Sequence, residues 1–579
     1  MKYTKLTIGF LLITLNLFAK NDTINVVIDL QQIDSLGLKV NVTPPTDLKG
    51  NVTYKFPKTI PGIYEYLHNH NTLISLQQND KKISCIGNSF LIQSDSFSYS
   101  AKSSVNFRTG VSAEDTYYLM DSVYILNWHY LLGFFNNETD NPYKIKIIKN
   151  NRLFGSSSLD KMTLNDTVDI FTASNYKDLI HSPLLYCIPD TASFQIEGSN
   201  FHVSCVGDDT LLNAQEIKDL LAVPLKELLK HSEYKHDDYT FLYFSKNAIN
   251  VPGLRALEHP NSTLVCYHSA LLDNDILIGS SIHEYIHAIY APLRIRSEII
   301  NDFNFINPTC DEFLWFYEGV TEYLSIKTLL DSKFFSNEDF LNEIKLSDEY
   351  SKNYILSKTS QNVYSKKGQK LYENYYTTGS LFALQLDLEI MRKSNGKKNL
   401  FDVMNELQKE YSPEKPFNSK TFLEEFIAVS GIDKSFVKDN TQKKIKIDFS
   451  ELVNDIGYSY TTVKYDTMVY SYSPRKIYNI TNFKKNHLEI GFLGSTLNKS
   501  MNAKKIIISE INGEPINWFN RDKLIIPELD NEFELLITID DTESVIKAKP
   551  NLISKERTKT VWTKNENYST DLVKLFWNE

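Results

Sequence analysis

The chain has 579 residues, of which 42% are hydrophobic and 12% aromatic, and its formal net charge is -10. Enough core-forming side chain is present to exclude general disorder, and an acidic chain with no basic face excludes a nucleic-acid partner. At roughly 100–200 residues per domain, three or four domains are expected.

The N-terminus reads "MKYTKLTIGFLLITLNLFAKND". Lys2 and Lys5 precede an apolar run from Leu6 to Phe18, and Ala19 offers a small residue for cleavage. This is the pattern of a secretory signal peptide over residues 1–19, too short to favour a membrane span. No cysteine lies near it, so no lipid anchor is expected, and the chain reads as exported, either periplasmic or secreted. No later stretch reaches the ~18 apolar residues of a spanning helix, so no transmembrane segment is expected after signal cleavage. Cys85, Cys187, Cys205, Cys266 and Cys310 have no C-x-x-C spacing, and an odd count leaves at least one free. Cys187 and Cys205 are the closest candidates for a disulfide. Burial as apolar residues accounts for the five equally well.

Residues 20–180 read as a β-sandwich-like domain. Runs such as "VNVTPPTDLKGNVTYKFP" and "KISCIGNSFLIQ" are β-branched, aromatic and broken by turn residues. Residues 181–440 read as an α+β domain in which strands precede helices. "NAQEIKDLLAVPLKELLKHSE" has helical spacing and a capping box from Asn213 to Glu216. "YTFLYFS" and "STLVCYH" read as strands. A helix is expected from Asp275 to Pro292, a second over 310–331, and a largely helical stretch from 336 to 430. Strand signals return in residues 445–579, which read as a small β-rich domain. The overall class is multidomain α+β.

The chemistry concentrates in "SIHEYIHAIYAPLRIRSE", residues 281–298. Positions i and i+4 of a helix share a face, so His283 and His287 can aim their imidazoles at one point with Glu284 beside it. Two nitrogen ligands and a carboxylate near the metal's water are what a zinc hydrolase needs. A third ligand is available from Glu318 in "LWFYEGVTEY". The alternative is a polar surface face. However, Ile282, Tyr285, Ile286, Ile289 and Tyr290 make the helix apolar nearly all round, and such a helix is buried. Two histidines and a glutamate buried without partners would be strongly destabilising. Glu322, one turn after Glu318, can accept a hydrogen bond from a ligating histidine, or can be a solvated helix carboxylate.

"HEYIH", then "PLRIRSE", then "LWFYEGVTEY" resembles the glycyl aminopeptidase family of zinc metallopeptidases, which belongs to the thermolysin-like gluzincins. "GLRALEHPNS" (253–262), "FPKTIPGIYEY" (56–66) and "YTTGSLFALQLD" (376–387) resemble further segments of that family. The resemblance implies an N-terminal β-domain, a thermolysin-like catalytic domain with a mainly helical second half, and a C-terminal PDZ-like domain. It implies one zinc per chain on His283, His287 and Glu318, with Glu284 as general base and Tyr376 as oxyanion donor. Tyr375 is the second candidate for that donor. In the related aminopeptidase N families a glutamate in the position of Glu258 anchors the substrate amine. Ala256 and Leu257 would then flank the substrate, with strand "STLVCYH" pairing to its backbone. A salt bridge in a loop is the plainer reading of Glu258. Arg255 stands where the family has glycine before A-L-E-H, and Thr378 where it has lysine in Y-x-K-G.

The expected function is therefore zinc-dependent hydrolysis of peptide or protein substrates from the N-terminus. The alternatives are an endopeptidase with the same zinc site, and a non-catalytic secreted peptide-binding protein on a peptidase scaffold.

Overall fold

The computed structural model describes residues 23–578 apart from 47, 49–51, 68–73, 79–80, 83–87, 93–95, 105–111, 208–211, 246–253, 268–273, 446, 471–479, 485–486, 491–505, 512–513, 516–532, 540–541 and 549–551. The signal-peptide segment 1–19 and Cys85 lie outside the described residues. The chain divides into two compact units, one of residues 1–246 and 253–447, the other of 247–252 and 448–579. Among the described residues no helix is long and apolar enough to cross a membrane.

The N-terminal part of the first unit is β-rich. Its largest sheet has eight strands. At the centre, Ile24–Asp34 pairs parallel with Tyr143–Ile148 and antiparallel with Gly37–Thr43. Ile24, Val26, Ile28 and Leu30 alternate inward and meet Leu38, Val40 and Val42 in one core, as a period of two residues requires of a sheet buried on one face. Two smaller sheets contribute Tyr54, Phe90, Tyr124 and Ile125 to the same core, and the short helix Trp128–Leu131 adds Trp128.

A five-stranded sheet follows, in the order Thr191–Ile196, Ser199–Val206, Asp238–Ser245, Ser262–Tyr267, Leu254–His259. The three inner strands run parallel, and Leu254–His259 lies antiparallel at the edge. The sequence reading gave the substrate-pairing strand as 262–268. Ser262–Tyr267 has both sides taken, by Asp238–Ser245 and by Leu254–His259, so it has no ladder groups to offer. The free edge belongs to the strand that carries Ala256, Leu257 and Glu258.

Helix Ala214–His231 starts with the capping box read from the sequence, in which Glu216 N donates to the Asn213 side chain. The helix with both histidines spans Asn274–Ile289 and is buried without a break from Ser281 to Ile289. The second expected helix is shorter than read. Residues 310–313 are not helical, Trp315–Gly319 forms a π-turn, and regular helix runs only over Val320–Asp331. A second π-turn, Tyr375–Gly379, precedes helix Ser380–Lys393. The two turns cross on glycine. A Cβ on Gly319 would lie 2.7 Å from the backbone of Gly379, and one on Gly379 would lie 3.1 Å from Gly319 Cα. Any side chain there would force the turns apart. Single π-turns are rare and concentrate at functional sites, and these two carry Glu318 and Tyr376.

Cys187, Cys205, Cys266 and Cys310 are buried free thiols, so the Cys187–Cys205 disulfide that the sequence left open is not made. The second unit contains a long antiparallel pair, Tyr458–Tyr470 with Leu552–Lys564, in unbroken register. It also contains a six-stranded antiparallel sheet, and Trp577 Nε1 donates to Ile456 O at 2.8 Å.

Candidate active site

His283 and His287 point the same way from one helix face, with their Nε2 atoms 3.0 Å apart. Glu318 Oε2 lies 3.7 Å from the first and 3.5 Å from the second. Three ligands about 2.0–2.2 Å from a tetrahedral zinc would stand roughly 3.3 Å from one another, so this buried triangle has the size of a zinc site. Among the described residues these three are the group of His, Cys, Asp or Glu close enough to hold a metal ion. Glu318 Oε2 is buried and accepts no hydrogen bond, which leaves its lone pairs free toward the two imidazoles. The donor set therefore fits zinc.

The far side of each imidazole is held as well. His283 Nδ1 is 2.7 Å from Glu322 Oε2. His287 Nδ1 is 2.7 Å from Ala291 O and 3.4 Å from Thr321 Oγ1. Partners on Nδ1 turn both Nε2 lone pairs to the centre and fix each ring. Of the two readings open for Glu322, the contact with His283 is the one that this geometry brings together. Ala291 and Thr321 were not foreseen, because a backbone carbonyl and a helix threonine carry no motif.

Electrostatics follow from burial and pairing. Burial alone would raise the Glu318 carboxyl. The adjacent His283 and His287 outweigh it and hold this group well below the usual carboxylate range. Desolvation lowers both imidazoles, but the carboxylates prevail, Glu318 at both rings and Glu322 also at His283, and each lies above an ordinary histidine. Glu284, next to His283 on the helix, is buried in the same cleft, with its carboxyl raised by that burial against the pull of His283 and His287.

These groups line a cleft of about 860 Å³ together with Glu258, Ala256, Leu257, Tyr372 and Tyr376. Burial, opposed by His287 and reinforced by Glu284 and Glu318, pushes the Glu258 carboxyl up to about 8. The residue is only 6% exposed and sits in the strand Leu254–His259 rather than in a loop. Tyr376 brings its ring within 5.6 Å of the His283 ring. Tyr375 turns the other way, is fully buried, and donates its hydroxyl to Leu356 O at 2.7 Å. That settles which of the two neighbouring tyrosines faces the cleft. Arg255 is exposed on the edge strand and lines the cleft. Thr378 is buried and accepts a hydrogen bond from Lys352 N at 3.1 Å, away from the ligands.

One wall of the cleft comes from the N-terminal β-rich part. The loop Gly62–Leu67 lines it. The Tyr64 ring packs on Tyr372 at 5.2 Å, and Tyr364 donates to Ile63 O at 3.5 Å. Gly62 has φ +87°, and a Cβ there would lie 2.6 Å from Glu258 Oε1. Gly62→Ala is thus expected to displace the Glu258 carboxylate and to lower stability by about 1 kcal/mol through left-handed strain. Steady-state kinetics on free-amine peptides check this. A raised KM with kcat largely kept is the expected result, and an unchanged KM would contradict the contact.

Two family models match the chain: the Peptidase M61 N-terminal domain over residues 25–188, and the M61 glycyl aminopeptidase over residues 277–382. The second match contains His283, Glu284, His287, Glu318, Glu322, Tyr372 and Tyr376. No curated protein matches the sequence. Among solved structures, an aminopeptidase N family protein from Idiomarina loihiensis is 18% identical with a TM-score of 0.67, over 96% of this chain and 100% of that one. That likeness shows a shared fold. An M1 zinc metallopeptidase from Deinococcus radiodurans is 9% identical with a TM-score of 0.46, over 74% of this chain and 95% of that one. Aminopeptidase A of Legionella pneumophila, in complex with aspartic acid, is 14% identical with a TM-score of 0.45, over 93% and 58%.

Proposed function

The chain belongs to the M61 glycyl aminopeptidase family of zinc metallopeptidases, and from that premise we propose that it is an exported aminopeptidase that removes N-terminal residues from peptides. The observation that carries this reading is Glu258, a buried carboxyl to which, among the described residues, no cationic side chain is bonded, at the end of the cleft closed by Gly62. A free α-amine is cationic near neutral pH, and it supplies the charge that this carboxylate lacks.

His283, His287 and Glu318 would hold one zinc ion per chain. That ion supplies Lewis-acid polarisation of the scissile carbonyl and lowers the pKa of a water to about 7. Glu284 takes the proton of the attacking water and passes it to the leaving amine. Tyr376 donates a hydrogen bond to the developing oxyanion. Ala256 and Leu257 present the free edge of the sheet to an extended substrate backbone. Glu322 fixes the His283 ring. Residues 1–19 act as the signal peptide. Residues 20–180 form a β-sandwich-like domain, 181–440 the thermolysin-like catalytic domain, and 445–579 a PDZ-like domain, supported by its short antiparallel strands.

The test compares free and N-acetylated short peptides on protein of measured zinc content. Glu258→Gln removes a charge-assisted hydrogen bond worth about 1.5–3 kcal/mol, so KM for free-amine peptides should rise roughly 10- to 100-fold. Equal cleavage of the acetylated peptide would replace this reading by the endopeptidase one. Stoichiometric zinc with no turnover would leave a binding protein.

A further inference from the structure

We propose that Tyr372 is a positioning residue for the hydrolysis, its hydroxyl orienting that of Tyr376 and linking it to the second carboxylate oxygen of Glu318. Tyr372 is the last residue of helix Lys366–Tyr372, and Tyr376 lies in the π-turn Tyr375–Gly379. Their hydroxyl oxygens are 2.7 Å apart. Tyr372 also reaches Glu318 Oε1 through a long hydrogen bond of 3.5 Å. Its ring is pinned between Tyr64 at 5.2 Å and Tyr376 at 5.7 Å, the latter edge-on at 88°. The loop that closes the cleft therefore also sets the direction of the Tyr372 hydroxyl.

A phenol has one proton to donate and can accept as well. The 2.7 Å bond uses one of the pair's two protons. Before reaction the chain of donors runs from Tyr376 to Tyr372 to Glu318 Oε1. When charge develops on the substrate oxygen, the Tyr376 proton turns to it and the Tyr372 proton turns to the Tyr376 oxygen. Two hydroxyls rotate, and no O–H bond breaks. A donor that is itself accepting a hydrogen bond is the stronger donor. Without Tyr372, the Tyr376 hydroxyl keeps its proton but loses its aim.

This inference rests on Tyr376 being the oxyanion donor, and the experiment separates the two. Tyr372→Phe, Tyr376→Phe and the double variant are prepared as full-length, zinc-loaded protein. Each is assayed for kcat and KM on a free-amine peptide, for inhibition by a tetrahedral phosphinic peptide, and for zinc affinity by chelator competition. Tyr372→Phe keeps the ring on Tyr64, and thermal unfolding confirms the fold. It should lower kcat about 10-fold with KM nearly unchanged, and should weaken the phosphinic peptide by a similar factor. Zinc affinity should change by no more than a few-fold, because the bond to Glu318 is long. Tyr376→Phe should lower kcat by about 10²–10³-fold, and the double variant should be no worse than that single change. Losses that multiply would overturn the proposal, as would a lowered melting temperature with kcat intact. A Tyr372→Phe loss larger than that of Tyr376→Phe would make Tyr372 the donor itself and also overturn it. An unaltered kcat in Tyr376→Phe would fail the oxyanion assignment, a result distinct from failure of the cycle.

Discussion

Glu284→Gln should bind a full complement of zinc and turn over substrate roughly 10²–10⁴-fold more slowly. The amide has nearly the shape of the carboxylate but cannot take a proton. The ligand triangle of His283, His287 and Glu318 does not include Glu284, so metal content is a clean control. Folding should not suffer. Burial raises the Glu284 carboxyl in the metal-free chain. An acid whose folded pKa lies above its unfolded value stabilises the fold in its protonated form, and that stability is lost as pH rises. At neutral pH the charge therefore opposes folding. The neutral amide removes that opposition, so the metal-free variant should melt at the wild-type temperature or above it. Measured kcat within a few-fold of wild type at full zinc occupancy would show that another group takes the proton.

The second large effect is on metal binding. Zinc binding to a four-ligand site is worth about 10–16 kcal/mol, so one ligand carries about 2.5–4 kcal/mol, and Glu318→Ala should weaken zinc about 10²–10³-fold. Glu318 also supplies the negative charge beside two buried imidazoles. Without it, His287 loses its largest carboxylate partner and His283 keeps Glu322 on its far nitrogen only, so the centre has no anionic ligand. Zinc should therefore raise the melting temperature of the wild type and leave that of the variant nearly unchanged at the same concentration. Retention of tight zinc by Glu318→Ala would mean that a different residue completes the site.

The two effects differ in what the sequence alone could reveal. His283, Glu284 and His287 are separated by one helical turn, so local geometry places them together whatever the rest of the chain does. Glu318 lies on a separate element. It was legible only because a short motif carried it, and the structure adds why that motif contains Gly319. The glycine lets the π-turn under Glu318 cross the π-turn under Tyr376 at backbone contact.

The expectation that Ser262–Tyr267 pairs with substrate backbone fails because that strand is internal to its sheet, and the sequence carries a signal of this. "STLVCY" is apolar apart from hydroxyls, whereas "LRALEH" carries Arg255, Glu258 and His259. Charges on one of two adjacent strands mark the sheet edge. That weighting would have assigned the substrate-pairing role to Leu254–His259. The choice between Tyr375 and Tyr376 had no such signal. Adjacent residues near a helix start differ by about 100° in direction, and only the packing of Tyr375 against Tyr354 and its bond to Leu356 O decide which hydroxyl reaches the cleft.

The sequence by itself determined the helix that carries His283 and His287, the candidate ligand set and the succession of β-rich, α+β and β-rich segments. Each of these depends on periodicity or on residues within a turn or two of one another. Tertiary structure alone decided the Gly62 wall against Glu258, the Tyr64–Tyr372–Tyr376 cluster and the crossing of the two π-turns. Those arrangements bring together segments far apart in the chain, as Tyr64 with Tyr372, or require backbone approach at single glycines, and neither leaves a trace in local pattern.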